Sequence, residues 1–192
     1  MRFDDGTVMR LYRQTVEDFG LYVGLELSET EFKNLQESAG VMSAKMRAVR
    51  IVAASGVSKG DLQRRLIQKG EMPKHAKQAV QWMSDMDLVD DQKTAEHIVQ
   101  RCIHKGYGVT RAKQVLFEKR IPKEYWASVL EDYPDQMEAI VTFLQEKLAK
   151  MRDEQSVRRA IDALIRRGHS YSEIRKGLDH INLMGDDFRE EF

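Results

Sequence analysis

Three glycines mark a pattern of apolar positions that recurs along the chain. When Gly56, Gly106 and Gly168 are placed in register, the residues six and ten positions further on are apolar in all three segments. These positions are Leu62, Ala112 and Ile174, and then Leu66, Leu116 and Leu178. A spacing of four residues places such side chains on one face of an α-helix. The pattern therefore predicts the same buried helix face after each glycine.

A second set of apolar positions precedes each glycine. The residues eight, seven and four positions before it follow the i, i+1 and i+4 spacing of a buried helix face. They are Ala48, Val49 and Val52, then Ile98, Val99 and Cys102, and then Ala160, Ile161 and Leu164. Each unit is therefore predicted to be a helix, a turn and a second helix. We interpret each glycine as the left-handed C-cap of the first helix.

Prolines predict a third helix in the first two units. In the first unit the predicted third helix is "KHAKQAVQWMSDMDL", which directly follows Pro73. In the second unit it is "KEYWASVLEDY", which directly follows Pro122. Proline is tolerated at a helix start because the N–H that it lacks has no partner within the helix. The third unit would end with the short segment "GDDFREEF". The interval before its glycine is longer, and the extra segment "DQMEAIVTFLQEKLAKMRDEQ" is expected to extend its first helix.

The first forty residues follow a different pattern. "DDG" indicates a turn, "TVMRLY" alternates like a short strand, and a brief helix is expected near Gln14 to Phe19. Ser28 with Glu31 forms a capping-box pattern, which predicts a helix from about Glu29 to Glu37. This segment is interpreted as a strand-and-helix extension that caps the first unit.

The sequence thus predicts an all-α fold of three tandem three-helix repeats in an elongated, curved arrangement. Neighbouring units would share a core, because each alone is too small to bury its apolar stripe. The expected boundaries are an N-terminal extension over residues 1–43 and repeats over residues 44–89, 90–134 and 135–192.

Charge is distributed unevenly, although the formal net charge is zero. Residues 1–43 hold 4 basic and 8 acidic side chains, residues 44–126 hold 17 and 9, and residues 127–192 hold 10 and 14. The central part is therefore basic by eight charges, whereas each end is acidic by four. A local positive field attracts polyanions, and solvated helix faces are the alternative explanation.

Several functional classes are not expected. No apolar run approaches the roughly 20 residues of a membrane-spanning helix, and the start resembles no secretory signal. A single cysteine, Cys102, agrees with the reducing cytoplasm and falls at a core position of the repeat. The Gly-Tyr-Gly at 106–108 lacks the strand and third glycine of a dinucleotide site. We therefore expect no catalytic residue, no metal and no cofactor, and hence no enzyme.

Lys, Arg and one tyrosine are the remaining candidates for function. Stacked repeats would align the basic residues of the second helices into a stripe that meets phosphates. Tyr107 is a candidate for stacking on a base or for packing on a neighbouring helix. The candidate contacts are Arg64, Arg65, Lys69, Arg101, Lys105, Tyr107, Arg111, Lys113, Lys119, Arg120, Arg175 and Lys176.

The segment from Leu88 to Ile121 resembles the most characteristic part of the RecX family of RecA modulators. It has a paired-acid start, a Gly-x-Gly turn and a Leu-x-x-Lys-x-Ile ending. "RRGHSYSEIRKGL" and "SGVSKGDLQRRLIQKGEM" resemble the equivalent pieces of the other two repeats. The match is carried by Asp90, Asp91, Ala95, Arg101, Gly106, Gly108, Arg111, Leu116, Lys119 and Ile121. Thr94 replaces the usual aromatic of the family, and Arg120 replaces a glycine.

The resemblance implies a function that periodicity alone does not supply. RecX-like proteins are non-enzymatic and bind in the groove of the RecA filament, close to its single- or double-stranded DNA. They modulate recombinase activity, ATP hydrolysis and the SOS response in DNA repair, and a monomer is expected. Two alternatives stay open from the residues themselves: a stand-alone helical nucleic-acid-binding protein, and a protein-binding scaffold whose basic stripe meets an acidic partner.

Overall fold

A computed structural model describes residues 1–4, 6–149 and 153–181. Within these ranges the chain is helical, which confirms the predicted all-α class. The helices are α1 Arg13–Asp18, α2 Glu29–Ala54, α3 Lys59–Gln68, α4 Pro73–Asp85, α5 Asp91–His104, α6 Val109–Glu118, α7 Trp126–Leu130, α8 Met137–Leu148, α9 Glu154–Arg166 and α10 Tyr171–His180. A 3-10 turn, Lys123–Tyr125, leads directly into α7.

The chain divides into two compact units, residues 1–91 and 92–192. In the first unit, α2, α3 and α4 share one core with the side chains of Val57 and Val89. In the second unit, one apolar cluster lies among α5, α6 and the segment through α7, and another lies among α8, α9 and α10. The repeat boundaries at 43, 89 and 134 stay a prediction, and α2 runs through the first of them.

The apolar register is confirmed for the second helix of every repeat. Its six predicted core residues in α3, α6 and α10 are at most 5% exposed. The first helix differs in the first unit, because Ala48 is fully buried whereas Val49 is 37% exposed. The buried positions of α2 are shifted by one residue relative to those of α5. They are Ala44, Ala48 and Ile51 in α2, and Ala95, Val99 and Cys102 in α5. Each pair is 51 residues apart, whereas Gly56 and Gly106 are 50 residues apart. The prediction of a buried Val49 is therefore wrong by one residue of register.

The glycine caps show the same difference. Gly106 and Gly168 have φ of 62° and 87° and follow the last turns of α5 and α9, as predicted. Gly56 has no positive φ, and α2 ends before it at Ala54 with extended Ser55 as its cap. The prediction of a left-handed cap at Gly56 is wrong, because the chain leaves α2 in extended conformation.

The N-terminal segment contains less β structure than predicted. Arg2 and Val8 form one isolated antiparallel bridge, and no strand is present in the described part of this segment. The capping box at Ser28 and Glu31 is confirmed, with both reciprocal hydrogen bonds present. The helix that it starts continues to Ala54, because the apolar positions of the first repeat prolong the same helical face.

The segment before the third repeat is a separate helix. The sequence predicts that it extends the first helix of that repeat, but α8 ends at Leu148 and α9 begins anew after the N-cap Asp153. The side chain of Asp153 accepts a hydrogen bond from the backbone N–H of Ser156. Apolar residues of α8, including Ile140 and Leu144, then pack against α9 and α10. The predicted last helix, "GDDFREEF", lies outside the described residues.

One left-handed position recurs after the second helix of the first two repeats. It is Gly70 after α3, with φ of 92°, and Arg120 after α6, with φ of 55°. The N–H of Arg120 donates to Phe117 O at 2.9 Å, and the N–H of Ile121 donates to Leu116 O at 3.0 Å. The corresponding bonds surround Gly70. Arg120 therefore adopts the conformation that its glycine counterpart adopts without steric cost.

Two turns pack closely together within the second unit. The N–H of Gly108 donates to Arg167 O at 2.9 Å, and a side chain at Gly108 would overlap the carbonyl of Gly168. A hydroxyl N-cap is present at the corresponding positions Ser58 and Ser170, so the glycine at 108 follows from this close approach. We call this contact between residues 106–111 and 167–169 the turn–turn joint.

His169 completes the turn–turn joint. Its Nε2 lies 2.9 Å from the carbonyl oxygen of Gly106, so this nitrogen carries the proton and donates. Its Nδ1 is buried and has no hydrogen-bond partner among the described residues. Burial lowers the pKa of His169 below its ordinary value, against the opposing influence of the Gly106 hydrogen bond and of Glu173. The imidazole is therefore held neutral.

Replacing Arg120 with glycine should stabilise the protein. Arg120→Gly is expected to raise the free energy of unfolding by about 1 kcal/mol, because the left-handed strain exceeds the added chain entropy. Urea denaturation followed by circular dichroism measures the difference. Gly70→Arg is the matched control and should lower stability similarly, since open space surrounds a side chain built there. An Arg120→Gly variant no more stable than the parent would contradict this explanation.

The neutral His169 should make stability depend on pH. Because its folded pKa lies below the ordinary 6.5, the unfolded chain binds more protons as the pH falls. The neutral imidazole of His169 therefore contributes to the free energy of unfolding. This contribution is complete above the pKa of the unfolded state and is lost as the pH falls through the pKa of the folded state. His169→Gln keeps an N–H donor and should flatten urea-derived stability between about pH 7 and 5. Exposed His97→Gln is the control, and equal pH slopes for both variants would exclude His169 as the cause.

Candidate functional site

The basic candidates lie on four parts of the fold. Those of the first unit are on or next to α3, and those of the second unit lie around the α5–α6 turn, on α6 and on α10. Eight of them are exposed cations, Lys69 next to α3 and seven in the second unit, and the partly buried ones are Arg64, Arg65, Tyr107 and Arg111. The seven exposed cations of the second unit are Arg101, Lys105, Lys113, Lys119, Arg120, Arg175 and Lys176.

Arg64 and Arg65 are held by a buried carboxylate. Asp61 is 1% exposed, and its two oxygens lie 2.6 Å from Arg64 Nη2 and 2.8 Å from Arg65 Nη2. Burial acts to raise the pKa of Asp61, but the two guanidinium groups outweigh it and lower that pKa. Asp61 therefore stays ionised and fixes both arginines at the surface of α3, with a net positive charge.

A basic cleft of about 390 Å³ lies between α2 and α3. Its charged lining consists of four cations, Arg47, Arg50, Arg65 and Lys69, and its lining includes no carboxylate. Arg47 Nε is oriented by buried Glu71, whose Oε1 lies 2.7 Å away. We call this feature the α2–α3 basic cleft. Its geometry suits a phosphate or another anion, because oriented guanidinium groups present their donors in a planar fork.

Two residues of this cleft were not among the sequence candidates. Arg47 and Arg50 lie one turn apart on α2, and the sequence pattern indicates only that they belong to the basic part of the chain, residues 44–126. The run "KMRAVR" at 45–50 carried a signal, since Arg47 and Arg50 are three residues apart and share one side of a helix. Only the packing of α3 beside α2 brings that side next to Arg65 and Lys69.

The cations of α6 are interrupted by a single acid. Glu118 is the one acidic residue of the helix, and its Oε1 lies 3.4 Å from Arg111 Nη1. Arg111 is therefore partly neutralised, whereas Lys113 and Arg120 extend the positive charge along the exposed side. Lys119 is exposed at the C-cap of α6.

The Gly-Tyr-Gly turn is structural rather than open to a ligand. The Gly106 carbonyl and the Gly108 N–H are both used in the turn–turn joint. The Tyr107 carbonyl accepts a hydrogen bond of 2.7 Å from the hydroxyl of Tyr133, whose pKa burial raises to about 12. Tyr107 itself is half-buried, with Lys105 Nζ 5.9 Å from its ring centre. The backbone of this turn thus has few groups left for phosphate.

Arg175 and Lys176 lie on the exposed side of α10. Lys176 lines an open cleft of about 480 Å³ together with Glu173, Gly108 and Tyr133. Burial acts to raise the pKa of Glu173, but hydrogen bonds from Ser170 and the nearby charges lower it overall. The cleft therefore contains charges of both signs, which makes it less suited to an anion than the α2–α3 basic cleft.

Metal-binding side chains are not gathered in the described part of the chain. Among residues 1–4, 6–149 and 153–181, no three His, Cys, Asp or Glu side chains form a metal-binding group. Burial raises the pKa of Cys102, so its sulfur is a thiol in the core. In the same ranges no helix has both the length and the apolar character to cross a bilayer.

Sequence comparisons give relatives with one common name. No family model matches the chain. A protein of Vibrio campbellii named "Regulatory protein RecX" is 23% identical, over 71% of this chain and 90% of its own length. A protein of Streptococcus sanguinis with the same name is also 23% identical, over 97% of this chain and 74% of its own length.

Solved structures give the same result for the fold. The crystal structure of a regulatory protein RecX superposes with a TM-score of 0.69 at 17% identity, covering 93% of this chain and 91% of that one. The crystal structure of RecX from Lactobacillus salivarius gives a TM-score of 0.64 at 18% identity, covering 77% and 99%. The resemblance read from the repeats and the central motif is thereby confirmed: over most of its length the chain is similar in sequence to proteins named RecX, and it has the fold of the RecX crystal structures.

Proposed function

We propose that this chain is a non-enzymatic regulatory protein that binds RecA and its nucleoprotein filament. The observation that carries the proposal is the similarity to proteins named RecX along nearly the whole chain, in both sequence and fold. As a RecA partner it would lie in the filament groove close to DNA, modulate recombinase and ATPase activity, and act in the cytoplasm as a monomer.

The distribution of charge supports this proposal. A partner that lies in a filament groove has to face both protein and the phosphates of the enclosed DNA. Exposed cations on α6 and α10, and the four cations of the α2–α3 basic cleft, provide contacts to phosphate or acidic side chains. Regulation of this kind needs no catalytic group, since binding one state of a filament shifts its population.

The ATPase of RecA tests the proposal directly. Added well below one copy per RecA, the protein should markedly change the rate of single-stranded-DNA-dependent ATP hydrolysis, because one bound copy affects a whole filament. An equal amount of heat-denatured protein is the control. An unchanged rate at that ratio, with folded protein, would contradict binding to the filament.

A stand-alone nucleic-acid-binding protein is the second candidate. The α2–α3 basic cleft favours it, because four cations with no lining carboxylate suit a sugar–phosphate backbone. In this case the protein would bind single-stranded DNA in the absence of RecA, with an affinity that falls as salt is raised.

Charge reversal in the cleft tests the second candidate. The double variant Arg50→Glu and Lys69→Glu should weaken binding to labelled single-stranded DNA by at least about tenfold and reduce the salt dependence by about one to two ions. Fluorescence anisotropy at several salt concentrations measures both quantities. Lys77→Glu, an exposed charge reversal outside the cleft, is the control. Equal affinities for the parent and the double variant would exclude the cleft as a phosphate site.

A further inference from the structure

The aromatic ring of Phe117 lies on the outside of α6. Phe117 is 70% exposed, although the neighbouring Leu116 is fully buried in the core between α5 and α6. Phe117 belongs to none of the three core clusters. Exposing a large aromatic side chain forgoes the burial that stabilises such residues elsewhere, so it is a candidate for contact with a partner.

Phe117 is part of a line along the helix. Val109, Lys113 and Phe117 are spaced four residues apart, which places them on one side of α6, and Val109 is 37% exposed. Lys113 lies between the two apolar residues and presents an aliphatic stem as well as a charge. Anchors at this spacing are the form in which one helix fits into an apolar groove of another protein.

The charge around this line has one sign. Lys113 lies one turn before Phe117, and Arg120 follows it in the left-handed turn, with its N–H bonded to Phe117 O at 2.9 Å. The single acid of α6, Glu118, has Arg111 beside it. A complementary surface would therefore be apolar at its centre and acidic at its rim. We call Val109, Lys113, Phe117 and Arg120 together the Phe117 surface.

The first repeat shows which kind of partner this surface fits. In the repeat register Phe117 corresponds to Ile67, which is 40% exposed on α3. Both repeats thus leave a large apolar side chain at the same position. An isoleucine offers no aromatic face for a base, so the shared property is apolar volume rather than stacking. Apolar volume fits a protein pocket.

We infer that the Phe117 surface is a docking site for a protein partner that offers an apolar pocket rimmed by carboxylates. The inference rests on the proposed function, in which that pocket lies on a RecA protomer. Phe117 fills the pocket as the central anchor, and Lys113 and Arg120 pair with acidic residues at its edge. Buried aromatic anchors supply most of the affinity at such interfaces, whereas charges at the rim mainly affect the association rate and partner choice.

Substitutions at Phe117 test the inference in the RecA ATPase titration. Phe117→Ala should raise the concentration that gives half the maximal effect by about tenfold, because the anchor is lost. Phe117→Leu should stay within about threefold of the parent, since an aliphatic side chain still fills an apolar pocket. Because Phe117 is exposed, both variants are expected to fold, and urea denaturation verifies this. Met86→Ala, an exposed apolar position outside the surface, is the control.

The possible outcomes separate this inference from the proposed function. If the parent protein does not change the RecA ATPase, both the proposed function and the docking site are wrong. A parent that acts normally, with Phe117→Ala equal to it, overturns the docking site and leaves the proposed function standing. If Phe117→Leu is as weak as Phe117→Ala, and both lose affinity for single-stranded DNA in parallel, the residue stacks on a base and the protein pocket is wrong. Loss of RecA response for alanine alone, with unchanged DNA affinity, supports the docking site.

Discussion

Close packing between two turns holds the second unit together. The turn–turn joint brings the start of α6 against the end of α9 so closely that a methyl group at Gly108 would overlap the Gly168 carbonyl. Backbone and imidazole hydrogen bonds then join Gly108 to Arg167 and His169 to Gly106. Because these groups are satisfied within the joint, the glycine-rich turn acts as a connection between helix pairs. Within the second unit, the candidate contacts therefore lie on the helix faces rather than on the backbone of this turn.

Buried carboxylates organise the surface of the first unit in a related way. Asp61 and Glu71 are both largely buried, and each is next to an arginine that reaches the surface. Leaving such a carboxylate without its partner would be costly, so the positions of Arg47 and Arg65 are fixed by the core below them. A cleft lined by pre-oriented cations loses less side-chain entropy on binding an anion than a set of mobile lysines would. The core and the candidate site are therefore coupled.

The helical repeat could be read from the sequence because apolar spacing directly reflects which helix face is buried. Leu62 and Leu66, with their counterparts, show this in all three repeats. The sequence predictions are wrong where a tertiary contact or a loop changes the helix register or ends a helix. Val49 is exposed because the chain leaves α2 without a left-handed glycine, which shifts the first helix by one residue. Similarly, α8 separates from α9 because Asp153 begins a new helix, which helical periodicity alone does not reveal.

The sequence by itself determined the helix pairs, the basic central part of the chain and the resemblance to RecX, because these depend on local spacing and on residue identity. Only the tertiary structure decided which cations act together. Arg47 and Arg50 are separated by fifteen or more positions from Arg65 and Lys69, and the packing of α2 beside α3 makes them one cleft. Likewise, phenylalanine is a residue type common in protein cores, but the orientation of α6 that buries Leu116 leaves the ring of Phe117 exposed. Such placements depend on contacts between distant segments, which no local pattern specifies.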